Sequence, residues 1–504
     1  MNILWIMTDQ LQADCLGFMG NPIIQTPHLD ELAAQSFVFE RAYVQTPVCM
    51  GSRASMMTGR YPATCGAKGM GILPPQEITI AETLKRQQYR TGMFGKLHLT
   101  PQQYTRQQLG TDIPISDWRV FKDAARLPNI VDDPCKHNYG FDELVDCDDS
   151  NRGVYQQWLK EQTGYDEKYR DGVELTAAGN RPEPMFPGAG CNDVFVSPVP
   201  SNLHHSSFIS GEAEQFIRRR KDAGPWFAWC SFIHPHHPFE APQDQIDRYP
   251  LADIPLPGKA KGEPCPDDFP SSVSNVIGDF SALPQEAQRT LIQHYYASIS
   301  LIDDNVGKLI SALKETDQWD NTIIIFASDH GEFAGERGLM KKPSFHYEEL
   351  IRVPLSIRVP GQEVNAQKLD GLVEMVDIYP TLMGLLEMEI HPGVQGQDWS
   401  DALLQGRKFG REEIHCESFG PFTENHSGGY GKVQTLRTKK WKLSIYPDDG
   451  QEHGLFFDME KDPLETTNLY HDPQYQKQRE EMLWRLLRRK FQETDPLPIR
   501  LSQW

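Results

Sequence analysis

The chain has 504 residues, of which 39% are hydrophobic and 24% are charged, and its formal net charge at pH 7 is −20. This composition is ordinary for a globular protein, and the length is sufficient for two domains, one of them large. The negative charge argues against a surface for nucleic acid or an anionic membrane, so an anionic substrate would need a locally basic pocket. No apolar run approaches the length of a membrane span.

The N-terminal segment and the cysteines bear on the cellular compartment. Residues 1–10 lack a basic region and a small-residue cleavage site, so they predict a buried strand rather than a secretory signal. The nine cysteines are odd in number and show no framework spacing, which fits reduced thiols. We therefore expect a cytoplasmic protein, with homo-oligomerisation left open.

Strand-like apolar runs alternate with helical patterns over most of the chain, which predicts an α/β fold with a largely parallel sheet. Strands are predicted at 3–7, 90–94, 226–233 and 321–327, and helices at 80–88, 208–221 and 286–314.

Two stretches, about 101–205 and 240–283, have weak periodicity and many turn-forming residues. We expect them to frame a substrate pocket. A second unit is predicted from about residue 410, with a hairpin at 433–446 and a helix at 473–493. The expected division is therefore a catalytic domain at 1–409 and a small α+β subdomain at 410–504.

Residues 46–60 place Cys49 at a predicted loop-to-helix junction, with Arg53 four residues further on. On a helix this spacing puts both side chains on one face. Unpaired N–H groups and a partial positive charge at the helix start favour an anion there, either a thiolate or an oxyanion. Taken alone, a buried cysteine and a surface arginine are the more common explanation of such a spacing.

An acidic residue follows each of two predicted strands: Asp9, with Gln10 after it, follows the first, and Asp329, with His330 after it, follows 321–327. Ligands gather at the carboxyl ends of parallel strands, and two neighbouring carboxylates repel each other unless a divalent cation lies between them. Oxygen ligands with one imidazole favour Ca²⁺, Mg²⁺ or Mn²⁺ over zinc. A cap or turn at Asp9 and a surface turn at Asp329 are the alternatives.

Basic residues follow the other predicted strands: Lys96 and His98 follow 90–94, and His236 follows 226–233, while Lys342 lies further along. A single histidine is more often structural, and a pair of adjacent lysines such as Lys341 and Lys342 is usually solvated. The shared position at strand ends nevertheless indicates groups that could hold the oxygens of a tetrahedral anion and protonate a leaving group. Weaker candidates for pocket contacts, each more often structural, are Trp118, Arg119, His204 and His205.

These residues and their order resemble the sulfatase family of the alkaline phosphatase superfamily, including its choline-sulfatase-like and phosphonate monoester hydrolase branches. The resemblance covers nearly the whole chain. It is carried by residues 26–33, 49–62, 95–99, 139–142, 235–238, 296–304, 328–332, 347–355 and 455–463. It implies an alkaline-phosphatase-like α/β fold, with a large, mostly parallel sheet flanked by helices and a smaller C-terminal α+β subdomain. The implied enzyme is a sulfuric ester hydrolase.

The resemblance also implies residue roles. The cysteine matching Cys49 is converted to formylglycine by a formylglycine-generating or anaerobic maturation enzyme. One hydroxyl of its hydrate attacks sulfur, and the second then loses its proton so that sulfate is released. The matching metal ligands are Asp9, Gln10, Asp329 and His330, with Gln10 at the place of a second aspartate. The other matches are Arg53, which would steady the nucleophile; Lys96 and Lys342, which would grip sulfate oxygens; His98, which would assist hemiacetal breakdown; and His236, which would assist the leaving group. One divalent cation is implied, with Ca²⁺ favoured over Mg²⁺ and Mn²⁺, and the substrate is a small-molecule or carbohydrate sulfate ester.

Two departures leave alternatives open. The family's modification signal is Cys-x-Pro/Ala-x-Arg, whereas Gly51 stands at its third position, and Gln10 removes one charge from the metal site. The second hypothesis is a phosphonate monoester or phosphodiester hydrolase on the same fold. A phosphatase or mutase with two zinc ions would need another set of Asp and His ligands, which the sequence does not indicate. A silent binding protein with Cys49 as a thiol is disfavoured by the complete polar constellation.

Overall fold

The computed structural model describes residues 1–69, 73–74, 76–99, 138–147, 154–163, 194–257, 280–343, 345–362, 364, 367–407, 409–419, 432–447 and 453–497. Most of the stretch 101–205, part of 240–283, and the candidates Trp118 and Arg119 lie outside the described residues.

The strands are β1 Asn2–Asp9, β2 Phe37–Phe39, β3 Ala42–Tyr43, β4 Arg90–Gly95, β5 Glu143–Asp146, β6 Val194–Val196, β7 Trp226–Pro235, β8 Phe239–Ala241, β9 Thr322–Ser328, β10 Arg352–Val353, β11 Leu355–Arg358, β12 Gln367–Leu369, β13 Val373–Glu374, β14 Glu413–Phe419, β15 Lys432–Thr438, β16 Trp441–Tyr446 and β17 His453–Asp458. The α-helices are α1 Pro27–Ala34, α2 Cys49–Thr58, α3 Pro62–Cys65, α4 Ile80–Arg86, α5 Val154–Thr163, α6 His205–Arg219, α7 Gln243–Ile246, α8 Gln285–Glu315, α9 Glu348–Ile351, α10 Ile378–Leu385, α11 Ser400–Gln405 and α12 Gln476–Gln492.

Eight strands of the described chain form the main sheet, in the order β12-β2-β11-β9-β1-β7-β4-β5. The central strands β9, β1, β7 and β4 run parallel to one another, and β11 pairs antiparallel with both β9 and β2. The predicted α/β fold with a large, mostly parallel sheet is therefore confirmed. Its central strands are continuous apolar runs because both faces are covered.

The two faces of the sheet carry separate hydrophobic cores, and β1 contributes to both. Leu4 and Ile6 pack into one core, and Trp5 and Met7 pack into the other. Successive strand residues point to opposite faces, so this division follows from the extended backbone. Helices α6 and α8 cover the first face, and α2, α4 and α10 cover the second.

The predicted elements are confirmed with shifts at their ends. Strand β7 continues to Pro235, two residues beyond the predicted end, and β1 includes Asp9. Helix α6 begins at His205 because the ring of His204 accepts a hydrogen bond from the N–H of Ser206, which caps the first turn. The predicted C-terminal helix begins as a 3-10 turn, Pro473–Tyr475, and continues as α12.

The C-terminal part forms a separate small antiparallel sheet in the order β14-β15-β16-β17, with α12 packed on β15 and β16. Arg489 on α12 links it to the larger part, because its Nη2 lies 2.9 Å from Glu374 Oε2. The α+β character of this unit matches the expectation, while the boundary at residue 410 stays a prediction.

None of the described helices is both long enough and apolar enough to cross a membrane.

The strands β9, β1, β7 and β4 end at the same edge of the sheet, and the edge is tightly built where β4 ends. Gly95 has a φ of 98°, in the left-handed region, and a Cβ there would overlap the backbone oxygen of Ser231 on β7. A glycine is therefore required for β4 to deliver Lys96 beside β7.

Replacing Gly95 with alanine is expected to lower the free energy of unfolding by roughly 1–3 kcal/mol, because the new Cβ meets β7 and the backbone is strained. Urea denaturation measures the change. Gly211→Ala is the matched control: Gly211 lies inside α6, and a Cβ added there would meet nothing within 4 Å. It should stabilise by about 0.5–1 kcal/mol. Equal effects of the two variants would contradict the account of Gly95.

Candidate active site

The strand ends bring two carboxylates together. Asp9 is the last residue of β1, and Asp329 directly follows β9. Thr8 and Ser328 are register partners on these neighbouring parallel strands, so the two aspartates emerge side by side. One ligand atom each from Asp9, Asp329, Cys49 and His330 lies within 4.8 Å of the others, and all four residues are buried.

Arg53 joins the two carboxylates. Its Nε donates to Asp329 Oδ2 at 2.7 Å, and its Nη2 lies 3.2 Å from Asp9 Oδ2. Its Nη1 donates to the backbone oxygen of Lys96 at 2.7 Å and to Ser231 Oγ at 2.8 Å. The planar guanidinium therefore contacts several strand ends at once, which Lys could not do because its ammonium is a point charge. Burial would lower the pKa of Arg53, but Asp329 and Asp9 raise it.

Lys96, the first residue after β4, places its Nζ 2.8 Å from Asp9 Oδ2, and both side chains are fully buried. Burial alone would raise the pKa of the Asp9 carboxyl. The groups around it hold that pKa well below its usual range instead: Lys96, His236, Lys342 and Arg53. Asp9 is therefore an ionised carboxylate, the form that a metal ion requires.

Cys49 is the first residue of α2, as the spacing predicted, and Arg53 lies one turn further along the same helix. The Cys49 sulfur accepts a hydrogen bond from Lys342 Nζ at 2.8 Å and lies 3.2 Å from His330 Nε2. It is 3.9 Å from Asp9 Oδ1. The Cys49 sulfur thus faces a cation and the start of a helix, both of which stabilise an anion.

The two histidines beside Lys342 have defined tautomers. His330 Nδ1 lies 2.9 Å from the Gly331 carbonyl oxygen, and His236 Nδ1 lies 2.6 Å from that of His237. A carbonyl only accepts, so each Nδ1 carries hydrogen, and each Nε2 faces Lys342 Nζ at 3.1 Å. Burial and Lys342 lower the pKa of both rings.

Gln10 has a φ of 65°, and its backbone N–H donates to Asp329 Oδ1 at 3.1 Å. Its side-chain nitrogen donates to Glu332 and lies 3.3 Å from His237 Nδ1. Its side-chain oxygen is buried and has no hydrogen-bond partner among the described residues. The amide is therefore held by its nitrogen, with an oxygen available to another group.

The donor set fits one hard divalent cation. Asp9 and Asp329 supply carboxylate oxygens, His330 supplies an Nε2 lone pair, and the unpartnered Gln10 oxygen is a neutral ligand of the same hard type. All ten predicted site residues lie in the described part of the chain, and contacts join at least nine of them into one cluster. His98 lies three residues past β4, buried and with a φ of 53°.

The structure gives Gly51 a packing role. A Cβ at this position of α2 would lie 2.8 Å from Thr46 Cγ2 and 3.0 Å from the backbone oxygen of Ala67. The alanine or proline that the family signal has at this position would require one of these neighbours to move. Gly51 is thus matched to its surroundings in this chain.

Sequence reasoning missed two residues that shape the site. Ser231 lies within the apolar run of β7 and accepts a hydrogen bond from Arg53, and a polar residue inside such a run was the available signal. Glu332 lies in the segment 328–332 but receives no role from the sequence. In the structure it accepts hydrogen bonds from the Gln10 side chain and from the backbone N–H of Ala334. Burial raises the pKa of Glu332.

In chelator-treated protein, Arg53→Met is expected to lower the free energy of unfolding by about 3–5 kcal/mol, because two buried carboxylates lose their partner. Urea denaturation at neutral pH measures this. Arg218→Ala is the matched control, since Arg218 pairs with Glu214 and Glu315 at a side chain that is 40% exposed. Its loss should be at most about 1 kcal/mol. Comparable losses in the two variants would show that Arg53 does not bridge the carboxylates.

Comparison with known proteins agrees with this geometry. A family model described as Sulfatase matches residues 1–388, and one described as N-sulphoglucosamine sulphohydrolase, C-terminal, matches residues 335–492. The chain is 32% identical to an arylsulfatase of Clostridium perfringens over 496 residues, covering 96% of this chain and 93% of that protein. It is 29% identical to a choline-sulfatase of Rhizobium meliloti over 485 residues, covering 94% and 83%.

The fold is also similar to the crystal structure of a phosphonate monoester hydrolase of Agrobacterium radiobacter. The TM-score is 0.79 with 22% sequence identity, and the match covers 100% of this chain and 98% of that one. At this identity the likeness concerns the fold. The family match over most of the chain decides the affiliation: the protein belongs to the sulfatase family and is a sulfuric ester hydrolase.

Proposed function

We propose that the chain hydrolyses sulfate monoesters through a formylglycine formed from Cys49, with one divalent cation held by Asp9, Gln10, Asp329 and His330. The observation that carries the proposal is the position of Cys49. Its sulfur lies at the start of α2, in contact with Lys342 Nζ and His330 Nε2, and 3.9 Å from Asp9 Oδ1. A nucleophilic oxygen at the position of this sulfur would lie beside the positive charge that binding an anionic ester requires.

The chemistry follows from the modification. The maturation enzyme oxidises Cys49 and removes its sulfur, which leaves an aldehyde, and addition of water gives two hydroxyls on one carbon. The first hydroxyl loses its proton as its oxygen attacks sulfur. An oxygen–sulfur bond forms, the bond between sulfur and the ester oxygen breaks, and the departing alkoxide takes up a proton to give the alcohol. Loss of the proton from the second hydroxyl restores the aldehyde and releases sulfate. Net hydrolysis therefore consumes one water.

Each of several described residues has a separate role in the proposed hydrolysis. Lys96 and Lys342 supply positive charge for the sulfate oxygens, and Lys342 also touches the nucleophile position. His236 is assigned to the leaving alcohol, because its Nε2 faces the cluster while its Nδ1 is fixed by a carbonyl. His98 is assigned to the second proton transfer. A bound divalent cation would lower the pKa of a coordinated hydroxyl toward neutrality, and Ca²⁺ suits the oxygen-rich donor set best.

A phosphonate monoester or phosphodiester hydrolase is the second candidate, and Gln10 is the residue that keeps it open. The Asp-Gln pair at 9–10 resembles that of the family's phosphonate monoester hydrolase and choline-sulfatase-like branches. A neutral amide in place of a carboxylate leaves the metal site one charge less negative, which eases the approach of an anionic ester of either kind.

Other features stay predictions: the division into 1–409 and 410–504, a cytoplasmic location, the maturation enzyme, and a small-molecule or carbohydrate sulfate ester as the substrate.

The first test concerns Cys49 itself. Protein made in a host with the maturation enzyme should show, by mass spectrometry of the peptide containing Cys49, the mass of formylglycine rather than cysteine. Cys49→Ala should abolish aryl sulfate turnover and leave the circular dichroism spectrum unchanged. Cys65→Ala is the matched control, because burial raises the pKa of that thiol to about 12 and makes it inert. An unmodified thiol with full turnover, or turnover by Cys49→Ala, would exclude the proposed nucleophile.

The second test ranks the two ester classes. Matched aryl sulfate and aryl phosphonate monoesters with the same leaving group should give a higher kcat/KM for the sulfate. The ratio is the informative quantity, because the leaving group and the pocket that binds it are then constant. A higher kcat/KM for the phosphonate would make the second candidate the principal activity.

A further inference from the structure

A second buried cluster of imidazoles lies outside the residues used above. It consists of His204 and His205 at the start of α6, His234 near the end of β7, and Glu240 on β8, and we call it the histidine cluster. Its side chains are 1–5% exposed and share no residue with the cluster around Cys49. Three histidines packed around one buried carboxylate require an explanation, because buried polar groups are normally satisfied by hydrogen bonds.

The three histidine rings lie at unequal distances from one oxygen of Glu240. His204 Nε2 lies 2.8 Å from Glu240 Oε1, which is an ordinary bond. His234 Nε2 and His205 Nε2 lie 3.3 Å and 3.6 Å from the same oxygen. These two separations are close to the edge of a zinc tetrahedron, which is about 3.3 Å for zinc–nitrogen bonds of about 2.0–2.1 Å.

The hydrogen bonds assign different roles to the three rings. His204 Nδ1 accepts from the Ser206 N–H at 3.2 Å, so its proton is on Nε2 and is donated to Glu240. In contrast, Nδ1 of His205, Nδ1 of His234 and Oε2 of Glu240 are buried without a hydrogen-bond partner among the described residues. His204 therefore orients the carboxylate. A hydrogen on each unpartnered Nδ1 leaves the Nε2 lone pairs of His205 and His234 facing Glu240 Oε1, an arrangement that a cation between these atoms would stabilise.

The protonation states suit a cation. Burial and the neighbouring rings lower the pKa of His205 and His234, which keeps both neutral. Burial would raise the pKa of Glu240, but His204 and the other rings hold it well below its usual range. The cluster thus presents neutral imidazoles and an ionised carboxylate, the forms in which these side chains bind metal.

We propose that His205, His234 and Glu240 hold a zinc ion, with His204 as the residue that orients Glu240. Two imidazoles and one carboxylate form a donor set that zinc accepts, with a fourth position left for water. The set is richer in nitrogen than the donors around Asp9, which favours zinc here and a harder ion there.

The zinc ion would fix the position of residues that contact the candidate active site. His234 and Glu240 lie at the two ends of the link between β7 and β8, and this link carries His236 and His237. His236 contacts Lys342, and His237 contacts Gln10. An ion that joins both ends of the link to the start of α6 would fix the position of His236 relative to Lys342. The zinc site itself does not depend on which ester is the substrate.

Zinc stoichiometry tests the proposal in the full chain with the first site disabled by Cys49→Ala and Asp329→Asn. After chelation, titration with Zn²⁺ and gel filtration, mass spectrometry of the metal should find one equivalent per chain. Adding His205→Gln should reduce this to none. Adding His294→Gln, a buried histidine outside the proposed ligands, should leave one equivalent. Activity is not measured, so a failed zinc test and a failed assignment of substrate are distinct results.

Absence of zinc from the disabled chain, or retention of one equivalent after His205→Gln, would overturn the proposal. Circular dichroism establishes whether each variant folds. If His205→Gln does not fold, zinc X-ray absorption of the disabled chain decides instead. Nitrogen and oxygen neighbours at about 2.0–2.1 Å with two imidazoles support the site. Coordination by sulfur, or by water alone, contradicts it.

Discussion

Two carboxylates buried at the ends of adjacent parallel strands are the constraint on which the rest of this site depends. Asp9 and Asp329 emerge side by side because β1 and β9 pair in register, and both side chains are fully buried. Two like charges in a dry interior are costly unless cations neutralise them. Arg53 bridges both, and Lys96 pairs with Asp9. Because Arg53 lies on α2, the same ion pairs that stabilise the carboxylates also fix the start of that helix, where Cys49 lies.

The parallel arrangement of the central strands places the residues of this site at one edge of the sheet. Strands β9, β1, β7 and β4 all end on one side, so residues far apart in the chain meet there. This is the general location of ligand sites in open α/β sheets. The cation of Lys342 comes from a loop rather than from a strand end, and it contacts the Cys49 sulfur and both neighbouring histidines. Membership of the sulfatase family agrees with this arrangement.

The two departures from the family pattern have different physical explanations. Gly51 lies where a Cβ would require Thr46 or Ala67 to shift, so its small size is matched to local packing. Gln10 keeps an oxygen at the proposed metal site but removes a charge, and its nitrogen donates a hydrogen bond to Glu332. Glu332 thus acts on the site through Gln10, which shows how a buried residue next to a motif can set the orientation of a ligand.

The sequence by itself determined the fold class, the main strands and helices, and the residues that meet at the sheet edge. It could do so because apolar periodicity predicts buried strands, and because parallel strands bring their carboxyl ends together wherever those residues occur in the chain. It did not predict the role of Ser231, the amide orientation of Gln10 or the histidine cluster. These depend on register, on side-chain rotamers and on the path of the link between β7 and β8. Only the tertiary structure decides such contacts, because they join segments whose separation along the chain carries no periodic signal.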